Sequence, residues 1–343
     1  MTRWDWTWEE RSHTKRAPTV DSDPATGEHE LPAPEGGQAS HGGPIAGERP
    51  QPTRDEQQVF RRRRLAAGVG LLAILLLAVV AIASKGSPKH PATATDHNHV
   101  AKLSPSAAEE AIEEHKAEEK AINSVLAYTP AVTSGGSTGK ELALTFDDGP
   151  GPYTQQLVAE LNRLKVKATF FAIGNQEQYF SAGTIDEINS GDVVGDHTET
   201  HPMMSSLSPH DQYEELFDQM AQIEVLGGAR PRLFRPPYGS FNANTFKELH
   251  HLHLLMILWS ADTADYTLPG TQAIVERALA GAKPGAIILM HDAGGNRSET
   301  IAALPAIVRG LRKRGLHPVT VPRLLMDDPP PHGQPIPTSL TGG

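Results

Sequence analysis

Hydrophobic and polar positions follow two alternating periods between residues 140 and 325, and this alternation predicts a single α/β domain. Short apolar runs with the period of two that a strand requires are separated by longer stretches with helical spacing. Strands are predicted at 142–146, 168–173, 193–195, 254–259, 286–290 and 318–321, and helices at 154–164, 178–189, 210–226, 244–250, 271–279 and 300–314. This order is typical of parallel strands joined by crossover helices. The pattern leaves an open sheet and a closed barrel as alternatives.

One long apolar run precedes this domain. Residues 65–83 carry no charge, and their length matches the roughly 20 residues that cross a bilayer as a helix. Four arginines come directly before the run, so the positive-inside rule predicts a single-pass plasma-membrane anchor with residues 1–64 in the cytoplasm and the folded domain outside. Residues 1–64 are rich in Pro, Gly and acidic residues and are predicted to be disordered. The stretch "AIAS" at 81–84 resembles a small-residue cleavage site, so cleavage of the segment, and hence secretion, is the alternative.

Residues 84–139 are predicted to be an extracytoplasmic linker with a stalk helix. Ser106 and Glu109 form a capping box that opens a helix rich in Glu, Ala and Lys. The Gly/Ser-rich stretch 133–139 predicts a flexible break before the domain, and the Pro-rich stretch 326–343 predicts a disordered tail.

Composition narrows the chemistry that this chain can perform. The absence of cysteine excludes disulfides, thiol nucleophiles and cysteine-based zinc sites. There are 16 histidines, so any transition metal is expected to be held by histidine and carboxylate side chains. The formal net charge of −10 argues against non-specific binding of nucleic acid.

The stretch "ELALTFDDGPGP" ends an apolar strand with two adjacent aspartates, Asp147 and Asp148. Successive side chains on a strand point to opposite sides, so the two carboxylates are expected to serve different roles. In "GDHTETHP", His197 and His201 are four residues apart, a spacing that puts both rings on one side of a helical turn. By itself such a pair is more often a pair of surface histidines. One aspartate and two histidines together make a three-ligand site with an open position, as in a catalytic zinc centre.

Three more polar stretches follow strand-like runs. In "RPPYG", Arg235 can hold a carboxylate bidentately. The alternative is a loop that the prolines make rigid and that has no role in binding. In "LWSADTADY" a strand again runs into acids, among them Asp265. In "IILMHDAGG", His291 follows a run that is expected to be buried, and a hydrogen-bonded core histidine is the alternative. In an α/β fold the carboxyl ends of the strands carry the catalytic residues, so we expect these stretches to converge.

Taken together and in this order, the five motifs "TFDDGP", "HTETH", "RPPYG", "DTADY" and "LMH" resemble the NodB-homology polysaccharide deacetylases, carbohydrate esterase family 4. The resemblance covers residues 140 to about 325. It implies a distorted (β/α) barrel with fewer than eight strands. It also implies an enzyme that removes acetyl groups from polymers of N-acetylglucosamine.

The roles of the site residues are carried over from the family, motif by motif. The resemblance implies metal ligands at Asp148, His197 and His201, a general base at Asp147 oriented by Arg235, a general acid at His291 paired with Asp265, an oxyanion donor in the backbone N–H of Tyr238, and walls around the acetyl methyl at Leu289 and Tyr266. The family often has tryptophan where this chain has Tyr266, so the shape of that wall is expected to differ.

The implied reaction is metal-dependent hydrolysis of acetyl groups from N-acetylglucosamine in a cell-wall polysaccharide. Peptidoglycan is the first expectation, because the predicted anchor lies under a cell wall. Zn²⁺ is the expected cofactor, and Co²⁺, Ni²⁺ or Mn²⁺ also suit such ligands. An O-acetyl esterase on a polysaccharide such as xylan and an inactive carbohydrate-binding module are the alternatives. The expected partners are therefore an acetylated glycan and a membrane, but no nucleic acid; the pattern does not indicate an oligomeric state.

Overall fold

The computed structural model describes residues 105–337, in which a curled parallel sheet is covered by helices. The helices are α1 (Pro105–Leu126), α2 (Thr154–Leu164), α3 (Gly174–Ser190), α4 (Pro209–Val225), α5 (Ala243–Leu252), α6 (Thr271–Gly281), α7 (Ser298–Lys313) and α8 (Val321–Asp327). The strands are β1 (Ala131–Val132), β2 (Glu141–Gly149), β3 (Thr169–Ala172), β4 (Val193–Asp196), β5 (Leu233–Phe234), β6 (Leu255–Ile257), β7 (Ala261–Asp262), β8 (Ile287–His291) and β9 (His317–Val319). The strand order is β1-β6-β5-β4-β3-β2-β8-β7, with β9 on the start of β2, and every pairing of these strands is parallel. The prediction of a parallel α/β domain is confirmed.

The sheet curls into a half-barrel. Two strands separate β5 from β2, which in a flat sheet puts them about 14 Å apart. Arg235, directly after β5, nevertheless reaches Asp147 on β2, with 2.7 Å between Nη1 and Oδ1. The carboxyl ends of the strands therefore surround one interior, while β1 and β7 remain as the two ends of the sheet.

The period of two in β2 explains which side chains enter that interior. Leu142, Leu144 and Phe146 are buried in a hydrophobic cluster with residues of α2 and α7 on the outer face of the sheet. Thr145 and Asp147 point the other way, and both accept hydrogen bonds from the guanidinium that crosses the half-barrel. The alternation of side chains along β2 therefore places apolar residues in the core and the Asp147 carboxylate in the interior of the half-barrel.

Helix α1 packs on the domain and does not form a separate stalk. Ile122 and Val125 are buried in the same hydrophobic cluster as Leu324 of α8. Arg232, just before β5, donates hydrogen bonds to Glu119 at 2.6 Å and to Asn123 at 2.6 Å. Arg232 lies at the amino end of β5, whereas Asp147 lies near the carboxyl end of β2. Helix α1 therefore covers the end of the half-barrel opposite Asp147.

The predicted flexible break at 133–139 is also part of the ordered domain. The backbone N–H groups of Thr138 and Gly139 donate to the Asp328 carboxylate at 2.8 and 2.7 Å. Just before this stretch, the Tyr128 ring stacks on the His332 ring, with centroids 4.0 Å apart. The folded unit therefore extends beyond both predicted boundaries, at 140 and at 325, because residues 128–139 pack against residues 328–332.

The structural role of α1 has a measurable consequence. Ile122→Ala is expected to lower the free energy of unfolding by about 2–5 kcal/mol, because it leaves a cavity in the cluster shared with α8. Ile112→Ala on the same helix is the matched control: Ile112 is 54% exposed, and its replacement is expected to change stability by less than about 0.5 kcal/mol. Urea denaturation followed by circular dichroism compares the two. Equal midpoints for both variants would show that α1 does not stabilise the domain.

No helix between residues 105 and 337 is long and apolar enough to cross a membrane. The predicted anchor at 65–83 and the predicted tail at 1–64 lie outside the described residues. Both stay predictions from the sequence.

Candidate active site

The two aspartates at the end of β2 differ in backbone conformation. Asp147 continues the strand and pairs in register with His291 on β8, whereas Asp148 has a left-handed φ of +72°. Pairing with β3 shifts between Asp147 and Gly149 as a consequence. Both carboxylates approach the His197 ring, at 3.8 Å from Asp147 and 3.5 Å from Asp148. The expectation that they point to opposite sides was wrong, because the irregularity turns the second carboxylate back toward the first.

Asp148, His197 and His201 form what we call the candidate metal cluster. Asp148 Oδ1 lies 3.2 Å from His201 Nε2, and the ligand atoms of the three side chains are all within 4.8 Å of one another. The two histidines do not lie on a helical turn, as the spacing predicted. Left-handed φ angles of +70° at Thr198 and +62° at His201 fold the loop after β4 so that the rings meet.

Hydrogen bonds outside the cluster orient its imidazoles. His197 Nδ1 lies 2.7 Å from the Arg235 carbonyl oxygen. A carbonyl can only accept, so Nδ1 carries the proton and the Nε2 lone pair faces Asp148. His201 Nδ1 lies 3.1 Å from the Tyr238 hydroxyl, which leaves its Nε2 facing Asp148 too. Two imidazole nitrogens and a carboxylate oxygen with such outer partners fit a divalent transition metal.

A buried ion pair adjoins the cluster. Arg235 is fully buried and donates through Nη1 to Asp147 Oδ1 at 2.7 Å and to Thr145 Oγ1 at 2.8 Å. Its Nε donates to the Ile257 carbonyl at 3.0 Å, and its guanidinium lies 4.2 Å from the Phe171 ring centroid. The pair fixes one oxygen of Asp147 and leaves Oδ2 toward the cluster.

His291 and Asp265 form a second buried pair, next to Asp147 on the adjacent strand. His291 Nδ1 lies 2.7 Å from Asp265 Oδ1, and Asp265 Oδ2 accepts from the His291 backbone N–H at 2.9 Å and from Thr300 Oγ1 at 2.8 Å. Burial disfavours the charged imidazolium, but the hydrogen bond and charge of Asp265, with the charges of Asp148 and Asp147, raise the pKa of His291 to about 9. His291 is therefore protonated at neutral pH.

The remaining predicted residues surround these groups. Tyr238 is 57% exposed, has a left-handed φ of +58°, and packs edge-on against His201. Tyr266 packs edge-on against His291, with ring centroids 5.4 Å apart. Leu289 lies two residues before His291 on β8, on the same side of that strand, and is almost fully buried.

Two hydroxyl groups in this site were not predicted from the sequence. Thr145 supports Arg235, and Thr300 supports Asp265. The position of Thr145, two residues before Asp147 on one strand, is a signal that places both on the same face. Thr300 has no comparable signal, because its contact depends on how α7 packs.

Fold and site together define a class: an α/β half-barrel enzyme with proton-transfer groups beside a candidate metal cluster. The sequence model of the polysaccharide deacetylase family matches residues 134–257. A peptidoglycan-N-acetylglucosamine deacetylase of Bacillus cereus is 38% identical over 197 residues, which cover 54% of this chain and 88% of that protein. The chain therefore belongs to the polysaccharide deacetylases, hydrolases that act on N-acetyl groups of polysaccharides. This confirms the resemblance carried by the five motifs.

Solved structures agree with this assignment. The Bc1960 peptidoglycan N-acetylglucosamine deacetylase, in complex with 4-naphthalen-1-yl-N-oxidanyl-benzamide, has a TM-score of 0.56 and 31% identity, covering 57% of this chain and 92% of that structure. A family 4 pseudoenzyme of Bacillus anthracis has a TM-score of 0.54 and 29% identity, covering 57% and 69%. The half-barrel is thus shared by an enzyme and a pseudoenzyme, and activity has to be argued from individual residues.

Proposed function

We propose that this chain is a metal-dependent N-deacetylase of N-acetylglucosamine residues in peptidoglycan. The observation that carries the proposal is the candidate metal cluster beside two proton-transfer groups, Asp147 and His291. These two residues are register partners on adjacent strands. Hydrolysis of an amide needs one group that accepts a proton from water and another that protonates the leaving nitrogen. This site supplies both.

A divalent cation held by Asp148, His197 and His201, for which Zn²⁺ is our first choice, would supply Lewis acidity that polarises an acetyl carbonyl and acidifies water. Asp147 accepts a proton from the attacking water at Oδ2, while Arg235 holds the opposite oxygen. The water oxygen bonds to the carbonyl carbon as that proton leaves.

Two further groups act on the tetrahedral carbon that results. The backbone N–H of Tyr238 donates to the oxyanion, a contact whose loss typically costs about 2.7–4 kcal/mol. His291 then gives its Nε2 proton to the nitrogen as the C–N bond breaks, so the products are acetate and a free amine. Asp265 stays bonded to Nδ1–H throughout and keeps the ring aimed at the leaving group.

The acid role of His291 predicts a pH dependence. His291 is active when protonated, so kcat/KM is expected to fall as pH rises through its pKa of about 9. Asp265→Asn removes the charge that raises this pKa while burial, which lowers it, remains. The alkaline limb of the profile should therefore move to lower pH by about 1–3 units. An unchanged limb in the variant would assign that limb to another group.

The substrate proposal is supported by the relatives. The Bacillus cereus protein and the Bc1960 enzyme are both peptidoglycan N-acetylglucosamine deacetylases. The presence of both Asp147 and His291 favours an active enzyme over the carbohydrate-binding alternative, which is relevant because a pseudoenzyme shares the fold.

The proposal is tested by acetate release from isolated peptidoglycan, chitin oligomers and acetylated xylan in parallel, with and without added zinc. We expect zinc-dependent release from peptidoglycan. Release from xylan alone would contradict the N-deacetylase and support the O-acetyl esterase. No release from any substrate, with zinc bound, would support a carbohydrate-binding module.

We also propose that residues 65–83 anchor the chain in the plasma membrane with the enzyme outside, which supports a cell-wall substrate. Fractionation of cells that express the full chain tests this. The chain should enter the membrane fraction at full length. A shortened form in the medium would indicate cleavage and secretion instead.

A further inference from the structure

A buried arginine lies between strand β8 and helix α7. Arg297 is 2% exposed. Its Nε donates to the Ala293 carbonyl at 2.6 Å and its Nη2 to the Gly294 carbonyl at 3.1 Å. Its Nη1 donates to the carbonyls of Asn296 at 3.2 Å and Asp265 at 3.5 Å. Among the described residues, all of its hydrogen-bond partners are backbone carbonyls.

The carbonyls held by Arg297 belong to a turn that lies against the candidate metal cluster. Gly294 and Gly295 have φ angles of +72° and +146°, in the region that favours glycine. A Cβ atom on Gly294 would overlap Asp148 Oδ2. The backbone of the turn is therefore in contact with Asp148, one of the proposed metal ligands. Arg297 binds the same turn through the carbonyls of Ala293 and Gly294.

The same guanidinium reaches the acid pair. It contacts the backbone carbonyl of Asp265, whose carboxylate binds the His291 ring and accepts from Thr300. Arg297 directly precedes α7 and Thr300 lies in its first turn, so the start of α7 holds both the main chain and the side chain of Asp265.

We propose that Arg297 is a positioning residue that couples the two halves of the site, holding the Gly294–Gly295 turn against Asp148 and holding Asp265 in place behind His291. This inference rests on the proposed roles of Asp148 and of the His291–Asp265 pair. Burying a charge costs free energy unless the charge is well hydrogen bonded. A planar guanidinium with several fixed donors is suited to gathering carbonyls from two segments, which a lysine ammonium is not.

The test uses the full-length protein with Arg297→Lys and Arg297→Gln. Arg309→Gln is the matched control, because Arg309 is an exposed arginine on α7, the helix that Arg297 directly precedes. Two quantities are measured: zinc affinity by competition with a chromogenic chelator, and kcat/KM for acetate release. Each Arg297 variant is expected to bind zinc about 10- to 100-fold more weakly and to lose kcat/KM by a similar factor, as outer partners of metal sites do.

Combination with Asp265→Asn isolates the second contact. If Arg297 acts through Asp265, the Arg297→Gln loss in kcat/KM is expected to be smaller in the Asp265→Asn background than in the wild type. Equal losses in both backgrounds would overturn that half of the proposal.

Wild-type zinc affinity and kcat/KM in a less stable Arg297 variant would show a purely structural role and overturn the proposal. If Arg297→Gln does not fold, Arg297→Lys decides by the same measurements. Failure of the proposed function is distinguishable, because it would appear in the unsubstituted protein as absent zinc binding or absent acetate release.

Discussion

Asp147→Asn is expected to lower kcat/KM by about 10²–10⁴-fold while zinc binding stays at the wild-type level. The asparagine side chain has the same shape as the aspartate side chain, and its amide oxygen still accepts a hydrogen bond from Arg235. The amide does not, however, take a proton from water. Asp147 is not part of the candidate metal cluster, so the cluster keeps its three side chains. Initial rates of acetate release and metal content, measured on the same sample, check both parts.

Asp211→Asn is the control for Asp147→Asn, because Asp211 is exposed on helix α4, and its rate is expected to match the wild type. Wild-type activity in Asp147→Asn would remove Asp147 as the base. Loss of zinc together with activity would place Asp147 among the metal ligands instead.

His201→Ala is expected to weaken zinc binding strongly. Outer partners of a metal site typically contribute about 10- to 100-fold in affinity, and the loss of a ligand is expected to exceed this. Only two of the three ligand side chains, Asp148 and His197, remain in the variant. Activity should fall with metal occupancy and recover in part at high zinc. Chelator competition and a zinc titration of activity measure the two effects.

His210→Ala serves as the control for His201→Ala. The His210 side chain is 75% exposed on helix α4, so zinc affinity and activity are expected to stay unchanged. One equivalent of tightly bound zinc in His201→Ala would contradict the assignment of His201 as a ligand. Weaker zinc binding in His210→Ala would mean that part of the measured affinity comes from surface histidines.

The order of strands and helices could be predicted because hydrophobic period is a local property of the chain. The strand that carries His291 was predicted within one residue of its observed bounds, whereas the strand predicted at 142–146 extends to Gly149 and includes Asp147. Strands β1 and β7 were missed, since each has two residues, too few to establish a period. Helix α8 was missed: the predicted strand took its first residue, Val321, and the predicted tail its last two, because a short apolar run suits either a strand or a helix.

The amino-terminal boundary of the domain, predicted at residue 140, was wrong for a different reason. The apolar positions of α1 are few, so its sequence is typical of a solvated helix, yet Ile122 and Val125 are buried against α8. That partner lies about 200 residues away, as the Arg323–Glu114 contact between the same helices shows with a separation of 209. Local composition carries no information about such a contact.

The types and positions of the polar residues along the chain were enough to predict which chemistry is available and where along the chain it falls. Parallel strands align their carboxyl ends, so the positions of Asp147, Asp148 and His291 at strand ends are enough to predict that they share one edge of the sheet. Which of these groups are in contact depends on the fold of the whole domain. The curl of the sheet lets Arg235 bond Thr145 from 90 residues away, and the packing of α7 lets Thr300 bond Asp265. Left-handed residues in the loop after β4, not a helical turn, bring His197 and His201 together. These contacts depend on long-range packing and on backbone angles that residue type does not specify, so the strand-end residues were predictable and the hydrogen bonds that orient them were not.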